Sequence, residues 1–135
     1  ALAWNGIANA GLEGARIPNH MFEHPLSAVY NVAHGAGLAV VMPAWLEFEK
    51  NNISRKICRF GEKILELEDS SNPDNVIREF KSWLKTIGCP LSLRELGIEN
   101  PDINELVSQA ETLSGLWNIN KYGKQEMEAV YRLCM

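Results

Sequence analysis

The sequence predicts an all-α fold, a bundle of about six to eight helices that form a single domain over residues 1–135. Three observations support this prediction. Apolar residues recur at steps of three and four along most of the chain, as one buried helix face requires. No stretch alternates apolar and polar residues for long enough to indicate a strand. The length of 135 residues is that of one domain.

The most apolar stretch, residues 38–48, predicts the central buried helix of the bundle. The segment 40–42 favours a strand by propensity alone, but it continues into residues that extend a long helix. Pro43 lacks a backbone N–H and therefore predicts a kink in this helix. The longest apolar run, residues 38–45, is too short to cross a bilayer.

Four apolar faces predict the helices that follow residue 52. These faces consist of Ile53, Ile57, Phe60, Ile64 and Leu67; of Val76, Ile77, Phe80, Leu84 and Ile87; of Ile103, Leu106, Val107, Ala110 and Leu113; and of Met127, Val130, Tyr131 and Cys134.

Some of these helices also carry signals at their ends. Asn72 is suited to be an N-cap, with Pro73 at the first helical position. Gly88, followed by a Cys-Pro pair, predicts where the same helix stops. The Asn-Pro pair at 100–101 predicts the start of the next helix.

Composition excludes several classes of function. The net charge is −4 and no block of lysine and arginine is present, so neither nucleic acid nor an anionic membrane is an expected partner. The three cysteines lie far apart and form no CxxC pair, which predicts reduced thiols in a cytoplasmic protein.

All three histidines lie between residues 20 and 34. At positions i and i+4 of a helix, His20 and His24 project about 40° apart and can face one pocket. Pro25 predicts a distorted turn at this point. His34 stands before Gly35, at the predicted N-terminus of the buried helix, where the positive helix end favours a neutral imidazole that can bind a metal.

Spacing alone leaves two interpretations of these histidines open. They form a metal or catalytic site, or they are helix histidines that pack and hydrogen-bond without further function. The pentapeptide HMFEH also fits the H-x-x-E-H pattern of inverted zinc peptidases, in which Glu23 would be the base. That match is short and leaves His34 unexplained.

Longer blocks around the histidines carry a resemblance to a known family. The chain opens with ALAWNGIANAGLEG, continues with His20-x3-His24-x-Leu-Ser-Ala and His34-Gly-x-Gly-Leu-Ala-x-x-x-Pro, and later contains LRELGI and PDINELVSQA. These blocks resemble the iron-containing (group III) alcohol dehydrogenases, with the butanol dehydrogenase branch most similar. The resemblance covers essentially the whole chain. It implies the C-terminal all-helical domain of an enzyme whose N-terminal nucleotide-binding α/β domain is absent from this chain.

The resemblance also implies roles for the three histidines. His20 and His34 correspond to two metal ligands for Fe²⁺ or Zn²⁺. His24 corresponds to a catalytic, cofactor-contacting histidine near the nicotinamide and the substrate, implicated in proton transfer. The family's other ligands, an aspartate and a histidine, would lie upstream of Ala1.

The same resemblance implies a function for the whole enzyme: NAD(P)H-dependent, metal-dependent interconversion of small alcohols and aldehydes by hydride transfer. We expect the fragment itself to be inactive, to bind metal weakly or not at all, and to associate, for example as a homodimer, through an exposed apolar face. The alternative is a stand-alone helical binding module derived from that domain, without catalysis.

Five residues near the histidines have two open interpretations. Ser27 either faces the pocket of His24 or solvates a turn. The aromatic residues either line a substrate channel or pack in the core, and core packing is favoured; they are Trp4, Phe22, Tyr30 and Trp45.

Overall fold

The computed structural model describes residues 18–135, which fold into five α-helices. They are α1 (Pro18–Tyr30), α2 (His34–Lys63), α3 (Pro73–Thr86), α4 (Ile103–Leu116) and α5 (Lys124–Leu133). The predicted all-α fold is confirmed, and no strand occurs in this described part. Trp4 and the opening block lie outside the described residues.

The described residues contain fewer helices than the six to eight predicted for the whole chain. The reason lies in α2, which runs for 30 residues and joins two segments that the sequence predicts as separate helices. Ile53 marks the boundary between them, with non-helical dihedrals of φ −125° and ψ 22° inside the merged helix. The predicted kink at Pro43 is wrong, since the irregularity lies ten residues further along.

Two prolines are therefore accommodated inside helices. Pro43 and Ala44 are buried in α2, and α1 continues through Pro25 to its last residue instead of distorting there. An interior proline costs roughly 3 kcal/mol. Burial of one large apolar side chain contributes about 1.5–3 kcal/mol. Met21, Phe22 and Leu26 are fully buried on α1, so packing is sufficient to offset the loss.

α2 is the central element, because it packs against α1, α3 and α5, and α4 completes the bundle against α1 and α5. One core cluster joins α1, α2, α4 and α5, whereas a second, smaller cluster joins α2 to α3. The histidines lie at the end of the larger cluster.

The predicted end signals are confirmed at α3. The Asn72 side chain accepts from the amide of Asp74, Pro73 is the first helical residue, and Gly88 follows the helix with φ +78°. The helix α4 begins two residues after the Asn-Pro pair, because Asp102 is its N-cap and accepts from the amide of Glu105 at 3.1 Å.

A tight connection between α1 and α2 positions the histidines. Asn31 adopts φ +53° and its amide donates to the Ser27 carbonyl at 3.0 Å, so that the chain reverses over residues 31–33. Phe22 anchors α1 below this reversal, since its carbonyl accepts from the Tyr131 hydroxyl at 2.9 Å. His34 is thereby returned to the side of α1 that carries His20 and His24.

Among residues 18–135, no helix combines the length and the apolar character needed to cross a membrane.

Candidate metal and catalytic site

The imidazoles of His20 and His24, in the first half of α1, converge with that of His34, the first residue of α2; we call these residues the histidine cluster. The ring centroids lie 5.1 Å apart for His20 and His34, 5.4 Å for His24 and His34, and 6.1 Å for His20 and His24. His24 and His34 are exposed and His20 is half-buried. The three rings therefore face a common space that opens to the surface and are not sealed among aliphatic neighbours.

Glu23 lies beneath the histidine cluster and is fully buried. One carboxylate oxygen, Oε2, is in hydrogen-bonding contact with Nδ1 of His34. The other, Oε1, accepts from the Ser27 hydroxyl at 2.5 Å. Both oxygens of this buried carboxylate thus have a partner, as burial of a charged group requires.

Gly37 provides the space that Glu23 occupies. A Cβ atom at this position would lie 2.5 Å from Oε1 of Glu23 and 2.8 Å from its Cγ. Both distances are shorter than van der Waals contact, so any side chain at 37 would displace the carboxylate. The second glycine in the His34-Gly-x-Gly block therefore has a structural reason, whereas a Cβ at Gly35 would have nothing within 4 Å.

The ring of His24 packs against an aromatic residue from a distant part of the chain. Trp117, at the C-terminal end of α4, meets it edge to face with a centroid distance of 5.1 Å and an interplanar angle of 86°. A cavity of about 400 Å³ adjoins His24 on the same side. Its other lining residues are Pro25, Ala28, Gln109, Thr112 and Leu113. His24 is therefore oriented by α4 and borders a space that can hold a small molecule.

The pKa of His20 is lowered from its ordinary value of 6.5. Burial is the largest cause, the neighbouring His34 and His24 add to it, and the Glu23 carboxylate opposes it. This shift favours the uncharged imidazole, which is the form that binds a metal.

The donor chemistry of this region fits a divalent transition metal. Imidazole nitrogens suit zinc and iron, and ligand type does not choose between them. The possible ligand atoms of Glu23, His24 and His34 all lie within 4.8 Å of one another. The family resemblance instead points to His20 and His34, so the two sets share His34. The two sets differ in whether Glu23 binds the metal directly or only contacts the ligand His34.

Several open interpretations are resolved by the structure. The Ser27 hydroxyl contacts Glu23 at 2.5 Å and also the Val32 carbonyl of the α1–α2 connection at 3.1 Å, so it serves both the site and the turn. Phe22 is fully buried in the core, and Tyr30 and Trp45 pack against it. Their polar atoms are used there, since the Tyr30 hydroxyl accepts from the amide of Asp102 and the Trp45 indole donates to the Tyr122 hydroxyl. Core packing is thus confirmed for these three aromatic residues.

Two residues of the site, Glu23 and Trp117, are not among those that the sequence patterns indicate. The H-x-x-E-H pattern gives Glu23 only the role of a peptidase base, and burial with both oxygens engaged counts against that role, since a base must reach water. A glutamate three residues before the buried Leu26, on the same side of α1, was the available signal. Trp117 carries no signal, because it is 93 residues from His24 and its approach depends on how α4 packs.

Comparisons with known proteins agree with the family resemblance. The model of the Fe-containing alcohol dehydrogenase family, C-terminal, matches residues 2–135. NADH-dependent butanol dehydrogenase A of Clostridium acetobutylicum is 30% identical over 120 residues, which cover 85% of this chain and 31% of that protein. Butanol dehydrogenase B of the same organism is 26% identical over 140 residues, which cover 98% of this chain and 36% of that protein.

Solved structures give the same result. NADH-dependent butanol dehydrogenase A from Thermotoga maritima superposes with a TM-score of 0.86 at 33% identity, over 98% of this chain and 36% of that chain. The aldehyde reductase YqhD from Escherichia coli shares the fold, with a TM-score of 0.73 at 19% identity over 87% of this chain and 32% of that chain. The present chain spans about a third of the length of the relatives it matches.

Proposed function

This chain belongs to the Fe-containing alcohol dehydrogenase family, within its C-terminal region, and on that premise we propose that it is the metal-binding and substrate-facing part of an alcohol dehydrogenase. The reaction is the NAD(P)H-dependent interconversion of a small alcohol and its aldehyde by hydride transfer. The observation that carries the proposal is the convergence of all three histidines on one surface-open space, with ring centroids 5.1 to 6.1 Å apart.

His20 and His34 would hold the divalent metal, Fe²⁺ or Zn²⁺. The bound metal supplies a Lewis acid for the substrate oxygen. The chain's own contribution is to present two imidazoles from two helices that are joined by the short reversal at residues 31–33. The neutral form of His20 is favoured by burial and by its neighbours, as the direction of its pKa shift indicates.

His24 would move the hydroxyl proton between substrate and solvent through a ring nitrogen. An imidazole suits this task, because one ring nitrogen can accept a proton while the other donates one. His24 is exposed, which gives the proton a route to water, and the edge of Trp117 restrains the ring. The adjoining cavity of about 400 Å³ has the size for a short alkyl chain, and Pro25, Ala28 and Leu113 are the apolar residues of its lining.

The nicotinamide cofactor would come from a second domain. The relatives are about three times as long as the part that matches, and several of them are NADH- or NADPH-dependent enzymes by name. We propose that a nucleotide-binding α/β domain is the partner of this chain and closes over the histidine cluster. Exposed apolar side chains such as Leu116 and Trp83 offer surface for contact with that domain or for a homodimer.

The 135-residue chain alone is expected to be inactive and to bind zinc weakly or not at all. Two histidine ligands are too few, since a catalytic zinc usually has three protein ligands and a water. Titration calorimetry of the chain with Zn²⁺ tests this expectation. Tight one-to-one binding would contradict it.

The activity is tested in the product of the complete coding frame that contains this chain, loaded with Fe²⁺ or Zn²⁺. Oxidation of NADH and of NADPH is followed with butanal and other short aldehydes. His20→Ala and His34→Ala should lose both metal and activity. His24→Ala should keep the metal and lose about 10²–10⁴-fold in kcat.

Two outcomes would contradict the proposal. If the coding frame contains no nucleotide-binding domain and its product binds no metal, the chain is a stand-alone helical module. If His34→Ala keeps full metal content and turnover, the histidine cluster is not the site.

A further inference from the structure

We propose that Glu23 is a positioning residue for His34, which it holds in the tautomer that presents Nε2 toward the metal. This inference rests on the proposed function, because it assumes that His34 is a metal ligand. It concerns a residue that the resemblance leaves without a role, and it decides between the two sets of donors described above.

The contacts of Glu23 favour support of a ligand over direct coordination. Oε1 accepts from Ser27 at 2.5 Å and Oε2 contacts Nδ1 of His34. With both oxygens engaged and the side chain fully buried, no carboxylate oxygen faces the open space of the histidine cluster. A metal bound by Glu23 would have to break one of these contacts.

The same contact determines which nitrogen of His34 has the lone pair. An ionised carboxylate only accepts hydrogen bonds, so Nδ1 of His34 is the donor and carries the proton. In the neutral ring, Nε2 is then the nitrogen with the free lone pair. Metal-binding histidines commonly donate their other ring N–H to a carboxylate, which fixes the ring and raises its basicity as a ligand.

Stability does not explain a carboxylate at this position. Removing a carboxylate from water costs several kcal/mol, and apolar residues of similar volume are often as stable or more so. Met21, Phe22 and Leu26, close to Glu23 on α1, are apolar and fully buried. A leucine at 23 would fit that pattern. The glutamate is kept in place by three further features: the donor Ser27, the imidazole of His34 and the absence of a side chain at Gly37.

The tautomer of His34 is measured in the 135-residue chain by long-range ¹H–¹⁵N NMR correlation, at a pH where the ring is neutral. Wild type is expected to carry the proton on Nδ1. Glu23→Leu removes both acceptor oxygens, and a mixture of tautomers rich in the Nε2–H form should appear. Glu23→Gln keeps one acceptor oxygen and should restore much of the wild-type signal.

Glu49→Leu is the matched control. Glu49 is also fully buried, but it lies on α2 and pairs with Lys121, far along the chain from the histidine cluster. Loss of its carboxylate should affect stability and leave the His34 tautomer unchanged. An Nε2–H tautomer in wild type, or the same spectrum in wild type and Glu23→Leu, would overturn the proposal.

A second readout is metal affinity in the product of the complete coding frame. Glu23→Leu should weaken zinc binding about 10–100-fold, as loss of an outer-shell partner does, whereas Glu49→Leu should not. Equal affinity in wild type and Glu23→Leu would overturn the positioning role. A wild-type product that binds no metal contradicts the proposed function instead, and the tautomer measurement still decides whether Glu23 orients His34.

Discussion

Glu23 and Glu49 are the two carboxylates that lie fully buried among residues 18–135, and their surroundings differ. Glu49 accepts from the Lys121 ammonium at 2.6 Å and from the Asn52 amide at 3.1 Å. Glu23 is paired with an imidazole and a hydroxyl. A lysine neutralises a buried carboxylate and ties α2 to the loop before α5. His34 is 47% exposed, so a contact with its Nδ1 can set the orientation of a ring that reaches the surface.

Burial of a charged group is therefore not by itself a sign of function, because both glutamates are fully buried. Glu49 has the partner that electrostatics favours and joins two elements. The partners of Glu23, Ser27 and His34, lie on either side of the α1–α2 reversal, within eleven residues of Glu23 in sequence, and His34 is 47% exposed. The position of a buried carboxylate relative to exposed titratable groups is what separates the two cases.

The largest expected effect comes from filling the space beside Glu23. Gly37→Ala places a methyl group 2.5 Å from the carboxylate, so we expect a loss of about 1–3 kcal/mol in the free energy of unfolding. Gly35→Ala is the matched control, because it meets nothing within 4 Å and should be stabilising by up to about 1 kcal/mol through helix propensity. Urea unfolding monitored by circular dichroism measures both. Equal effects at the two glycines would show that Glu23 is not held by Gly37.

The next largest effect on stability is expected at the ion pair between Lys121 and Glu49. Lys121→Met leaves the buried Glu49 without its cation and should destabilise the chain by about 1–2 kcal/mol, less than for a fully buried pair because Lys121 is half-exposed. Lys124→Met is the control, since Lys124 pairs with the partly exposed Glu111 at 3.3 Å and should change stability by less than about 0.5 kcal/mol. The same unfolding experiment measures it. A negligible effect at Lys121 would mean that Glu49 is satisfied without its cation.

The smallest effect is in the pH dependence of stability. Burial raises the pKa of Glu49, but hydrogen bonds from Lys121, Asn52 and Tyr122 outweigh it, so the pKa lies below its ordinary value of 4.5. A carboxyl whose pKa is lowered by folding stabilises the folded state above its unfolded pKa, and this contribution is lost as the pH falls through the folded pKa.

We therefore expect the stability difference between wild type and Lys121→Met to be constant above about pH 5 and to shrink as the pH is lowered further. Unfolding free energies measured at several pH values test this. A difference that grows on acidification would reverse the sign and contradict the assignment of the pair.

Much of the fold was predictable because it depends on local patterns. The apolar faces after residue 52 lie on α-helices, and Asn72 caps α3 as its chemistry indicates. The passage of the helix through Pro43 was predicted, but its union with the segment after residue 52 was not, because that union depends on packing against both core clusters. Ile53 interrupts the helix without any proline or glycine to signal it.

The three histidines of the candidate site were predictable from the sequence, but the contacts that Glu23 and Trp117 make with them were not. The i, i+4 spacing of His20 and His24 placed two imidazoles together, and the glycines after His34 indicated close packing. Glu23 lies between His20 and His24 in the sequence. Its burial was not predictable, because it depends on how α1 packs against α2. Trp117 approaches His24 only through the packing of α4 against α1. Such long-range contacts leave no local trace in the sequence.

We propose that His20 and His34 bind a divalent metal, and that Glu23 orients His34 through the contact with its Nδ1. The most direct test is a crystal structure of the metal-loaded product of the complete coding frame, with anomalous difference maps at the iron and zinc edges. We predict one anomalous peak within about 2.0–2.2 Å of a nitrogen of His20 and of Nε2 of His34, with Glu23 bonded to Nδ1 and not to the metal. A peak coordinated by Glu23 and His24, or no peak at the histidine cluster, would contradict the account.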